Sequence, residues 1–401
     1  MMMQSWLLGF LLCSLPGAQT AETPRLESEL IFPLEKWHNH ASSVVELPNG
    51  DLFACWYHGS GEREADDVRI EAARLRAGSR TWSERFTLAD TPGFPDCNPV
   101  LFLDSRHRLW LLWPVILANE WHTALMKYRI STDYANPKAP PKWEIADNLL
   151  VQPRNFTAKV KEVYEPRLRT ASPGKLADYL KTMLDRAADK YFSRLGWMTR
   201  AHPLELPGGL ILVPLYSDGF DFSLIAITDD GGSSWSASEP LVSHGGIQPS
   251  IVRRKDGTLV AWMRDNGPPP KRVHTSTSTD NGLTWDPVMD AELPNPGSAL
   301  EAMALKDGTW AMVYNDTEQA RWSLVVALSD DEGRTWKWRR HLERDTRESG
   351  RGSFHYPSII QARDGSLHVT YSCFLNHLPE GAPLKAIKHA RFNVAWVKQG
   401  D

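Results

Sequence analysis

The sequence contains three copies of one octapeptide: TDDGGSSW at residues 228–235, STDNGLTW at 278–285 and SDDEGRTW at 329–336. Each copy fits the pattern Ser/Thr-x-Asp-x-Gly-x-x-Trp, and successive tryptophans (Trp235, Trp285 and Trp336) lie 50 and 51 residues apart. The aspartate can accept backbone N–H bonds within a turn, and the glycine supplies the positive φ that such a turn needs. The tryptophan side chain then folds back and packs against neighbouring apolar residues. These turns, which we call Asp boxes, indicate a repeat protein with a unit of about 50 residues.

A second signal recurs with a similar period. Short turns of the Asn-Gly, Asp-Gly or Gly-Gly type lie at residues 49–50, 208–209, 256–257, 307–308 and 364–365, and a less regular turn spans residues 104–108. Each turn precedes an apolar segment, a pattern that predicts β-hairpins. Six hairpins indicate six four-stranded units. Because no unit can close its own core, we expect an all-β, six-bladed propeller.

One segment interrupts the repeats. Between residues 159 and 195 the chain is rich in charged residues, and its apolar residues recur at helical intervals. Ser172 followed by Pro173 is typical of a helix start. We therefore predict one helix, inserted between the second and third blades. It is expected either to form a lid or wall of a binding cleft or to pack on the rim of the propeller.

The composition agrees with a β-rich repeat fold and excludes several kinds of partner. The 401 residues include 17 Trp, 28 Pro and 27 Gly, which suits many tight turns and many fixed aromatic rings. The net charge of −4 favours neither nucleic acid nor an anionic membrane as a partner, and no protein partner is predicted. Beyond the leader, Cys55, Cys97 and Cys373 have no metal-site spacing. We expect buried free thiols, at most one disulfide, and no cofactor.

The first 21 residues are predicted to be a signal peptide. The apolar run from Trp6 to Leu15 is too short to span a bilayer, and small residues follow at Ala18 and Ala21. No Lys or Arg precedes the run, so one element of an export signal is missing. The expected mature domain is 22–401, without a membrane span, and the expected location is secreted or periplasmic.

The Asp boxes together with the hairpins resemble the sialidase superfamily over about residues 30–395. More narrowly, the stretches HASSVVELPNGDL (40–52) and QPSIVRRKDGTLVAWMRD (248–265) are similar to the bacterial BNR repeat-like branch. The resemblance implies a glycan substrate and an exo-glycosidase that removes a terminal sialic acid or a related acidic sugar. Asp boxes also occur in propellers without catalytic activity. A hydrolase of a different terminal sugar and a non-catalytic glycan-binding propeller therefore stand as alternatives.

The resemblance assigns roles to three residues near the ends of inner strands. Arg264 and Arg321 match two of the three arginines that hold the sugar carboxylate in the family, where guanidinium groups can bind a carboxylate with two hydrogen bonds. Tyr356, which follows Arg321 by 35 residues, matches the catalytic tyrosine. A neutral phenol suits attack at an anomeric carbon that carries a carboxylate, since an anionic nucleophile would be repelled.

The sequence departs from the family pattern at two places. His40 stands where the first arginine belongs, and Gln248 stands where a carboxylate should activate the tyrosine. We expect Arg200 to complete the arginine trio. Glu301 is expected either to replace the carboxylate or to be an ordinary residue at a strand end. His40 is expected to donate a hydrogen bond or to act as a general acid or base.

The proton donor is expected in the loop GSGEREADDV, residues 59–68, because the family places its acid there. Glu64 is the first candidate and Asp67 the alternative, although four carboxylates in a short loop also fit an ordinary solvated surface. His58, just before the loop, is expected to line the same cleft. The spacing of His38, His40 and His58 matches no compact ligand set, so no metal site is predicted.

Overall fold

The computed structural model describes residues 22–345, 352–376 and 382–401. It confirms the six-bladed, all-β propeller, because the strands form six separate antiparallel sheets that follow one another along the chain. The signal peptide predicted for residues 1–21 lies outside the described residues. Within the described ranges, no helix is both long enough and apolar enough to cross a membrane.

The first three blades follow in chain order. Blade 1 consists of β2 (His38–Glu46), β3 (Leu52–Gly59), β4 (Arg69–Leu75) and β5 (Phe86–Ala89). Blade 2 consists of β6 (Val100–Leu103), β7 (Leu109–Ile116), β8 (Ala124–Ser131) and β9 (Ile145–Asn148), with a 3-10 turn at Trp121–Thr123. In blade 3 the innermost strand is broken in two, and the strands are β10 (Met198–Thr199), β11 (Leu204–Glu205), β12 (Ile211–Ser217), β13 (Phe222–Thr228) and β14 (Ser236–Ala237).

The last three blades complete the ring. Blade 4 consists of β15 (Gly246–Arg253), β16 (Leu259–Asp265), β17 (Arg272–Ser278) and β18 (Met289–Pro294). Blade 5 consists of β19 (Glu301–Ala304), β20 (Trp310–Tyr314), β21 (Ser323–Ser329) and β22 (Trp338–Arg344). Blade 6 consists of β23 (Gly352–Gln361), β24 (Leu367–Leu375), β25 (Leu384–Phe392) and the N-terminal strand β1 (Leu26–Leu30). Because β1 pairs with β25, the two ends of the chain share one sheet and close the propeller.

The six predicted hairpins connect the first and second strands of their blades. Gly50, Gly257, Gly308 and Gly365 have φ values of 88°, 95°, 87° and 88°, a left-handed conformation that glycine adopts without a Cβ penalty. In the irregular turn of blade 2, His107 takes φ 58°. These turns lie at the end of the inner strands away from Tyr356, so they shape the blades rather than the site.

The Asp boxes lie between the third and fourth strands of blades 3, 4 and 5. In blade 4, Asp280 accepts hydrogen bonds from the Ser278 hydroxyl (2.8 Å), the Thr284 backbone N–H (3.0 Å) and the Thr284 hydroxyl (2.6 Å). The tryptophan of each box packs on the preceding blade: Trp336 lies 5.7 Å from Trp262 and Trp235 lies 6.4 Å from Trp110, between ring centroids, and Trp285 shares an apolar cluster with Leu212 of blade 3. The Asp-box tryptophans therefore seal the joints between blades.

Serines on the inner strands also join neighbouring blades. The hydroxyl oxygens of Ser43, Ser250 and Ser358 accept backbone N–H bonds of 3.0, 3.0 and 3.2 Å from the next blade, donated by Leu101, Ala302 and Val44 respectively. All three serines are buried. These bonds satisfy backbone groups that the sheets themselves do not pair.

The helical insertion is present between blades 2 and 3, but the prediction of a single helix is wrong. The segment forms α1 (Phe156–Thr170), α2 (Lys175–Ala188) and the short α3 (Lys190–Arg194), and a further short helix α4 (Val394–Gln399) ends the chain. Pro173 and Gly174, the latter at φ 143°, separate α1 from α2. The helix start predicted at Ser172 and Pro173 agrees with α2, whereas α1, which lies before this break, was not predicted.

The insertion packs on blade 3. One apolar cluster joins its helices to this blade and to blade 2, and includes Phe156, Tyr164 and Met183 from the helices and Phe220 and Phe222 from the blade. The expectation of packing on the propeller is therefore confirmed. The three cysteines at 55, 97 and 373 are free and buried, as expected.

Candidate functional site

Three inner strands carry a β-bulge at the same height. The strand register shifts between His40 and Ser43, between Ile247 and Ser250, and between His355 and Ser358. A residue with left-handed φ lies in each bulge: Ala41 at 54°, Gln248 at 56° and Tyr356 at 57°. A bulge re-aims the side chains at a strand end. Here the bulges of blades 1, 4 and 6 converge, and a shared cluster of side chains results.

Tyr356 is the centre of this cluster. Its hydroxyl oxygen accepts a hydrogen bond of 2.8 Å from Nη1 of Arg264 and one of 3.2 Å from Nε2 of Gln248. The residue is buried, with 8% of its surface exposed. Oε1 of Gln248 is buried and has no hydrogen-bond partner among the described residues. The amide thus donates to the phenol oxygen at the place where the family pattern has a carboxylate.

The other two predicted arginines lie over the same ring, with different functions. Cζ of Arg321 is 5.5 Å from the Tyr356 ring centroid, and its Nη2 donates to the Gly297 carbonyl at 2.8 Å. Cζ of Arg200 is 5.2 Å from the ring centroid. The Arg200 guanidinium donates to the backbone carbonyls of Tyr356, Pro357 (3.0 Å) and Ser42 (3.1 Å). Arg264 and Arg321 therefore border the cleft, whereas Arg200 holds the backbone that presents Tyr356.

His40 lies against the other face of the cluster. Its ring centroid is 4.2 Å from that of Tyr356, and its Nδ1 is 2.7 Å from the Ser372 hydroxyl. Burial, reinforced by the neighbouring His355 and His38, holds the pKa of His40 well below its ordinary value. The imidazole is therefore neutral at pH 7 and does not replace the positive charge of the arginine that the family pattern places there.

Glu301 is buried, and its carboxylate contacts groups other than the Tyr356 hydroxyl. Oε1 accepts the His202 backbone N–H at 2.7 Å and lies 2.8 Å from His202 Nδ1, while Oε2 accepts the Ile359 N–H at 2.8 Å. Burial alone would raise the pKa of Glu301, but the ion pair and hydrogen bonds with His202 hold it below its ordinary value. Glu301 thus joins blades 3, 5 and 6, and these contacts favour the structural alternative.

The loop at residues 59–68 brings a different carboxylate to the cleft. Glu62 accepts the Tyr57 hydroxyl at 2.9 Å and lies 3.1 Å from Nε2 of His38. Burial raises the pKa of Glu62, but the contacts with His38 and Tyr57 outweigh it and the net shift is downward. Glu62 is therefore ionised at neutral pH, and it is one of the charged groups that act on Arg321.

The two acids predicted from this loop point elsewhere. The Glu64 side chain is 59% exposed and pairs with Arg63 at 2.6 Å. Asp67 accepts hydrogen bonds from the Ser60 backbone N–H (3.0 Å) and the Ser60 hydroxyl (2.8 Å). Asp67 thus closes the loop on itself. The structure brings neither carboxylate to Tyr356, which favours the solvated-loop alternative for both.

His58 does not join the cluster around Tyr356. It follows Tyr57 on β3, and successive side chains of a strand point to opposite faces. Its Nδ1 is 2.9 Å from Oδ1 of Asn39 and 3.5 Å from Oε1 of Glu35. His58 therefore belongs to a polar network within blade 1.

Asp218 is a site residue that the sequence analysis did not identify. It follows β12, two residues after Tyr216, whose hydroxyl accepts a hydrogen bond of 3.1 Å from Asn98. Burial raises the pKa of Asp218 to about 6, against the opposing effect of the Arg264 cation. The only sequence signal was an aspartate directly after an apolar strand, followed by Gly219.

The arrangement suits an acidic ligand. Two guanidinium groups, of Arg264 and Arg321, adjoin one phenol. Burial raises the pKa of the Asp218 carboxyl group to about 6. Neutral imidazoles and Phe374, whose ring centroid is 5.7 Å from that of His40, provide an apolar wall. Within the described residues, no group of three or more His, Cys, Asp or Glu side chains could hold a metal ion.

Solved structures share this fold at low sequence identity. An intramolecular trans-sialidase from leech has 14% identity and a TM-score of 0.68, with 93% of this chain and 71% of that chain covered. A protein of unknown function from Dyadobacter fermentans has 15% identity and a TM-score of 0.64, with 92% and 99% covered. An α-L-arabinanase from Penicillium chrysogenum has 13% identity and a TM-score of 0.55, with 92% and 98% covered. The propeller is therefore one that glycoside hydrolases use.

Comparison by sequence leads to one family. No curated protein matches this chain significantly. The model of the BNR repeat-like domain matches residues 50–159 and 182–369. The gap between the two matched stretches, residues 160–181, falls within the helical insertion. Since the matched residues make up well over half of the sequence, the chain belongs to the BNR repeat-like family, on the six-bladed propeller of the sialidases.

Proposed function

We propose that the protein is an exo-glycosidase that removes a terminal acidic sugar, with sialic acid as the first candidate. The observation that carries this proposal is the contact of 2.8 Å between Arg264 and the Tyr356 hydroxyl, with the Arg321 cation over the same ring. A ligand that carries a carboxylate beside its reacting carbon fits this combination. The two guanidinium groups bind the carboxylate, and the phenol oxygen lies next to the anomeric carbon.

The side chains around Tyr356 support attack by its oxygen. Arg264 stabilises the negative charge that develops on that oxygen during attack. His40 is neutral and its ring centroid is 4.2 Å from that of Tyr356, and we assign to its imidazole the role of proton acceptor for the phenol. We assign the protonation of the leaving oxygen to Asp218, because its turn is hydrogen-bonded to Arg264 through Asp221 and Asn266 and burial raises the pKa of its carboxyl group to about 6.

One observation favours a second candidate. Gln248 cannot act as a base, and its amide donates to the Tyr356 hydroxyl where the family pattern has a carboxylate. A propeller that binds an acidic glycan without cleaving it would have no need of this base. A glycosidase for another terminal sugar is equally compatible with the substitution.

A panel of aryl glycosides tests the proposal. The panel contains an α-sialoside, glucuronides and neutral glycosides, each assayed with the wild type, with Tyr356→Phe and with the control Tyr191→Phe, which changes an exposed tyrosine on α3. We expect cleavage of an acidic glycoside and a loss of more than about 100-fold in kcat for Tyr356→Phe alone. Absence of cleavage by the wild type, together with retained affinity for an acidic glycan, would overturn the enzyme assignment in favour of the binding protein.

We also propose that the protein is exported, since the apolar run at residues 6–15 is typical of a signal peptide. Export would bring the enzyme to glycoconjugates outside the cytoplasm. N-terminal sequencing of the protein purified from its own host tests this: a mature chain that begins near residue 22 is expected, and an intact leader would contradict it.

A further inference from the structure

The helical insertion is bonded to the turn that follows β12 in blade 3. This turn, residues 217–221, is closed by a backbone hydrogen bond of 2.8 Å from the Asp221 N–H to the Ser217 carbonyl. From α2, Nη1 of Arg186 donates to the Gly219 carbonyl at 2.5 Å. Helix α2 therefore holds the backbone of this turn.

Two tyrosines of the insertion reach the same turn and the linker between blades 3 and 4. The Tyr179 hydroxyl donates to the Phe220 carbonyl at 3.2 Å, and its ring stacks on that of His244 with 4.4 Å between centroids. The Tyr164 hydroxyl donates to the Ser243 carbonyl at 2.5 Å. Both tyrosines lie in the part of the insertion that the BNR repeat-like family does not match. The support is therefore a feature of this chain rather than of the family pattern.

A closed ring of three hydrogen bonds joins the turn and the linker to the loop after β16. The Gly245 N–H donates to the Asp221 carbonyl at 2.9 Å, and the Asn266 N–H donates to the Gly245 carbonyl at 2.7 Å. Nδ2 of the Asn266 side chain then donates to Oδ1 of Asp221 at 2.7 Å. We call Asp221, Gly245 and Asn266 the clasp. Each member is bonded to the other two, so the three segments hold one another in place.

The clasp depends on a close approach of two backbones. A Cβ on Gly245 would lie 2.0 Å from the Gly267 nitrogen, and one on Gly267 would lie 2.2 Å from the His244 carbonyl oxygen. Gly245 also has a φ of 107°, in the range that favours glycine. Only glycine fits at these two positions, and the linker therefore lies in direct contact with the loop after β16.

The clasp is bonded to the arginine that contacts Tyr356. Oδ1 of Asn266 accepts a hydrogen bond of 3.1 Å from Nη2 of Arg264, whose Nη1 donates to the Tyr356 hydroxyl at 2.8 Å. Nε of Arg264 is buried and has no hydrogen-bond partner among the described residues. The guanidinium is thus oriented by one bond on each terminal nitrogen, and each of these nitrogens keeps a second N–H for a ligand.

We propose that Asp221 and Asn266 are positioning residues, which orient the Arg264 guanidinium for an acidic ligand, and that the helical insertion holds them in place. This inference rests on the proposed function, since it presumes that the ligand carries a carboxylate. A guanidinium binds a carboxylate with two hydrogen bonds only when its plane is correctly oriented. A side chain that is already oriented loses less conformational entropy on binding. The insertion therefore serves the site through the clasp.

The chemistry of the Asn266 side chain suits this task. Its nitrogen donates to the Asp221 carboxylate while its oxygen accepts from the Arg264 cation, two bonds that an amide makes from two different atoms. Asn266→Asp would keep the bond to Arg264 but would place two carboxylates side by side. Asp221→Asn would keep an oxygen that accepts from Asn266. Variants at the two positions should therefore differ in a fixed order.

Calorimetry on the full protein at pH 7 measures how well an acid is distinguished from its ester. The probes are N-acetylneuraminate and D-glucuronate, each paired with its methyl ester as a neutral control of nearly the same shape. Asn266→Ala is expected to raise the Kd of the acid about 3-fold to 10-fold, the loss of one hydrogen bond, and to change the Kd of the ester less than about twofold. Asp221→Ala and Asn266→Asp should act in the same direction, and Asp221→Asn should recover most of the affinity lost in Asp221→Ala.

Variants of α2 test the role of the insertion. Arg186→Met removes the bond to the Gly219 carbonyl and should raise the Kd of the acid about 2-fold to 5-fold, and Arg186→Lys should recover part of the loss. Combined with Asn266→Ala, Arg186→Met should add little, because both changes act through the clasp. The controls are Asp185→Asn, an exposed carboxylate on α2, and Asn148→Ala, an exposed asparagine on β9, and both should bind as the wild type does.

The outcomes separate this inference from the proposed function. Equal losses for acid and ester, which a general loosening of the fold would produce, or wild-type affinity in Asn266→Ala, overturn the positioning role and leave the glycosidase proposal intact. An unchanged Kd in Arg186→Met overturns the role of the insertion. Selective loss of the acid in Asn266→Ala supports the clasp even if the wild type cleaves no aryl glycoside. Binding of neither acid by the wild type overturns both proposals. Asn266 is exposed, so its variants are expected to fold.

Discussion

Nη1 of Arg264 lies 2.8 Å from the hydroxyl oxygen of Tyr356, and this contact joins the second strand of blade 4 to the innermost strand of blade 6. The two residues are 92 positions apart in the chain. A guanidinium that donates to a phenol oxygen can stabilise negative charge on that oxygen and can also bind an anionic ligand beside it. Removal of this cation is therefore expected to affect both binding and turnover.

Arg264→Met is expected to lower kcat/KM for an acidic aryl glycoside by about 10-fold to 100-fold, the loss that one charge-assisted hydrogen bond represents. Steady-state kinetics on a matched pair of acidic and neutral glycosides measures it. A preferential loss for the acidic substrate is expected, because the carboxylate loses a partner. An equal loss for both substrates would show that Arg264 acts on Tyr356 alone.

Glu301→Gln is expected to destabilise the protein strongly, because it removes one partner of a buried ion pair with His202. The free energy of unfolding should fall by about 3–5 kcal/mol, as for other buried pairs from which one partner is removed. Thermal or denaturant unfolding measures this loss. Glu301→Ala, which removes every hydrogen bond of the carboxylate, should cost at least as much, and a neutral result for either variant would contradict the structural role.

The same pair predicts how stability depends on pH. The pKa of His202 is raised, so its contribution is fully present below pH 6.5, the ordinary value, and is lost as the pH rises through the folded-state pKa. The pKa of Glu301 is lowered, so its contribution is present above pH 4.5 and is lost as the pH falls through the folded-state pKa. Melting temperatures measured from pH 4 to 8 should therefore decline above pH 6.5 less steeply in Glu301→Gln than in the wild type.

Two glycine variants separate backbone strain from close packing. Gly365 (φ 88°) and Gly333 (φ 81°) both have left-handed backbone, but a Cβ at Gly365 meets nothing within 4 Å, whereas one at Gly333 comes within 2.9 Å of the Trp262 and Trp310 rings. Gly365→Ala should cost about 1–2 kcal/mol, the penalty of left-handed backbone. Gly333→Ala should cost about 1–3 kcal/mol more, because the rings must move. Equal losses of stability in urea unfolding would contradict the packing explanation.

Asp280→Ala tests whether the Asp boxes serve the scaffold. The change removes hydrogen bonds to Ser278 and Thr284 in the outer turn of blade 4. We expect a loss of about 1.5–4.5 kcal/mol in the free energy of unfolding, the value of three ordinary hydrogen bonds. The KM for an acidic glycoside should stay within about twofold of the wild type. A larger change would mean that the outer turn affects the structure of the cleft.

Short sequence patterns predicted the blades and the Asp-box turns, because the contacts that form each turn lie within the pattern itself. The aspartate and glycine of an Asp box make the turn with neighbours only two to four residues away, as the contacts of Asp280 and Asp331 show. Arg264, Arg321, Gln248 and Tyr356 were also found, since their positions follow a family pattern, and the structure brings them together. The start of α2 after Ser172 and Pro173 was predicted from such a local signal, whereas α1 before it was not predicted.

Which carboxylates lie inside the protein could be learned only from the tertiary structure. Four acidic residues share the loop at 59–68, and nothing in their order shows that Glu62 turns inward while Glu64 stays exposed. Burial raises the pKa of Asp218 to about 6, and the turn that carries it is bound by Arg186 and Tyr179 of α2, more than 30 positions away in the chain. Such contacts have no signature in the sequence of the turn itself.

The sequence by itself determined the six blades and the Asp boxes, because hairpins and turns are properties of short segments, and its resemblance to a family pattern located Tyr356, Arg264 and Arg321. Only the tertiary structure decided that Arg200 holds the backbone of Tyr356, that Glu301 pairs with His202, and that burial raises the pKa of Asp218. The physical reason is that burial and charge depend on which distant segments surround a side chain. In a propeller those surroundings are fixed only when the ring of blades closes.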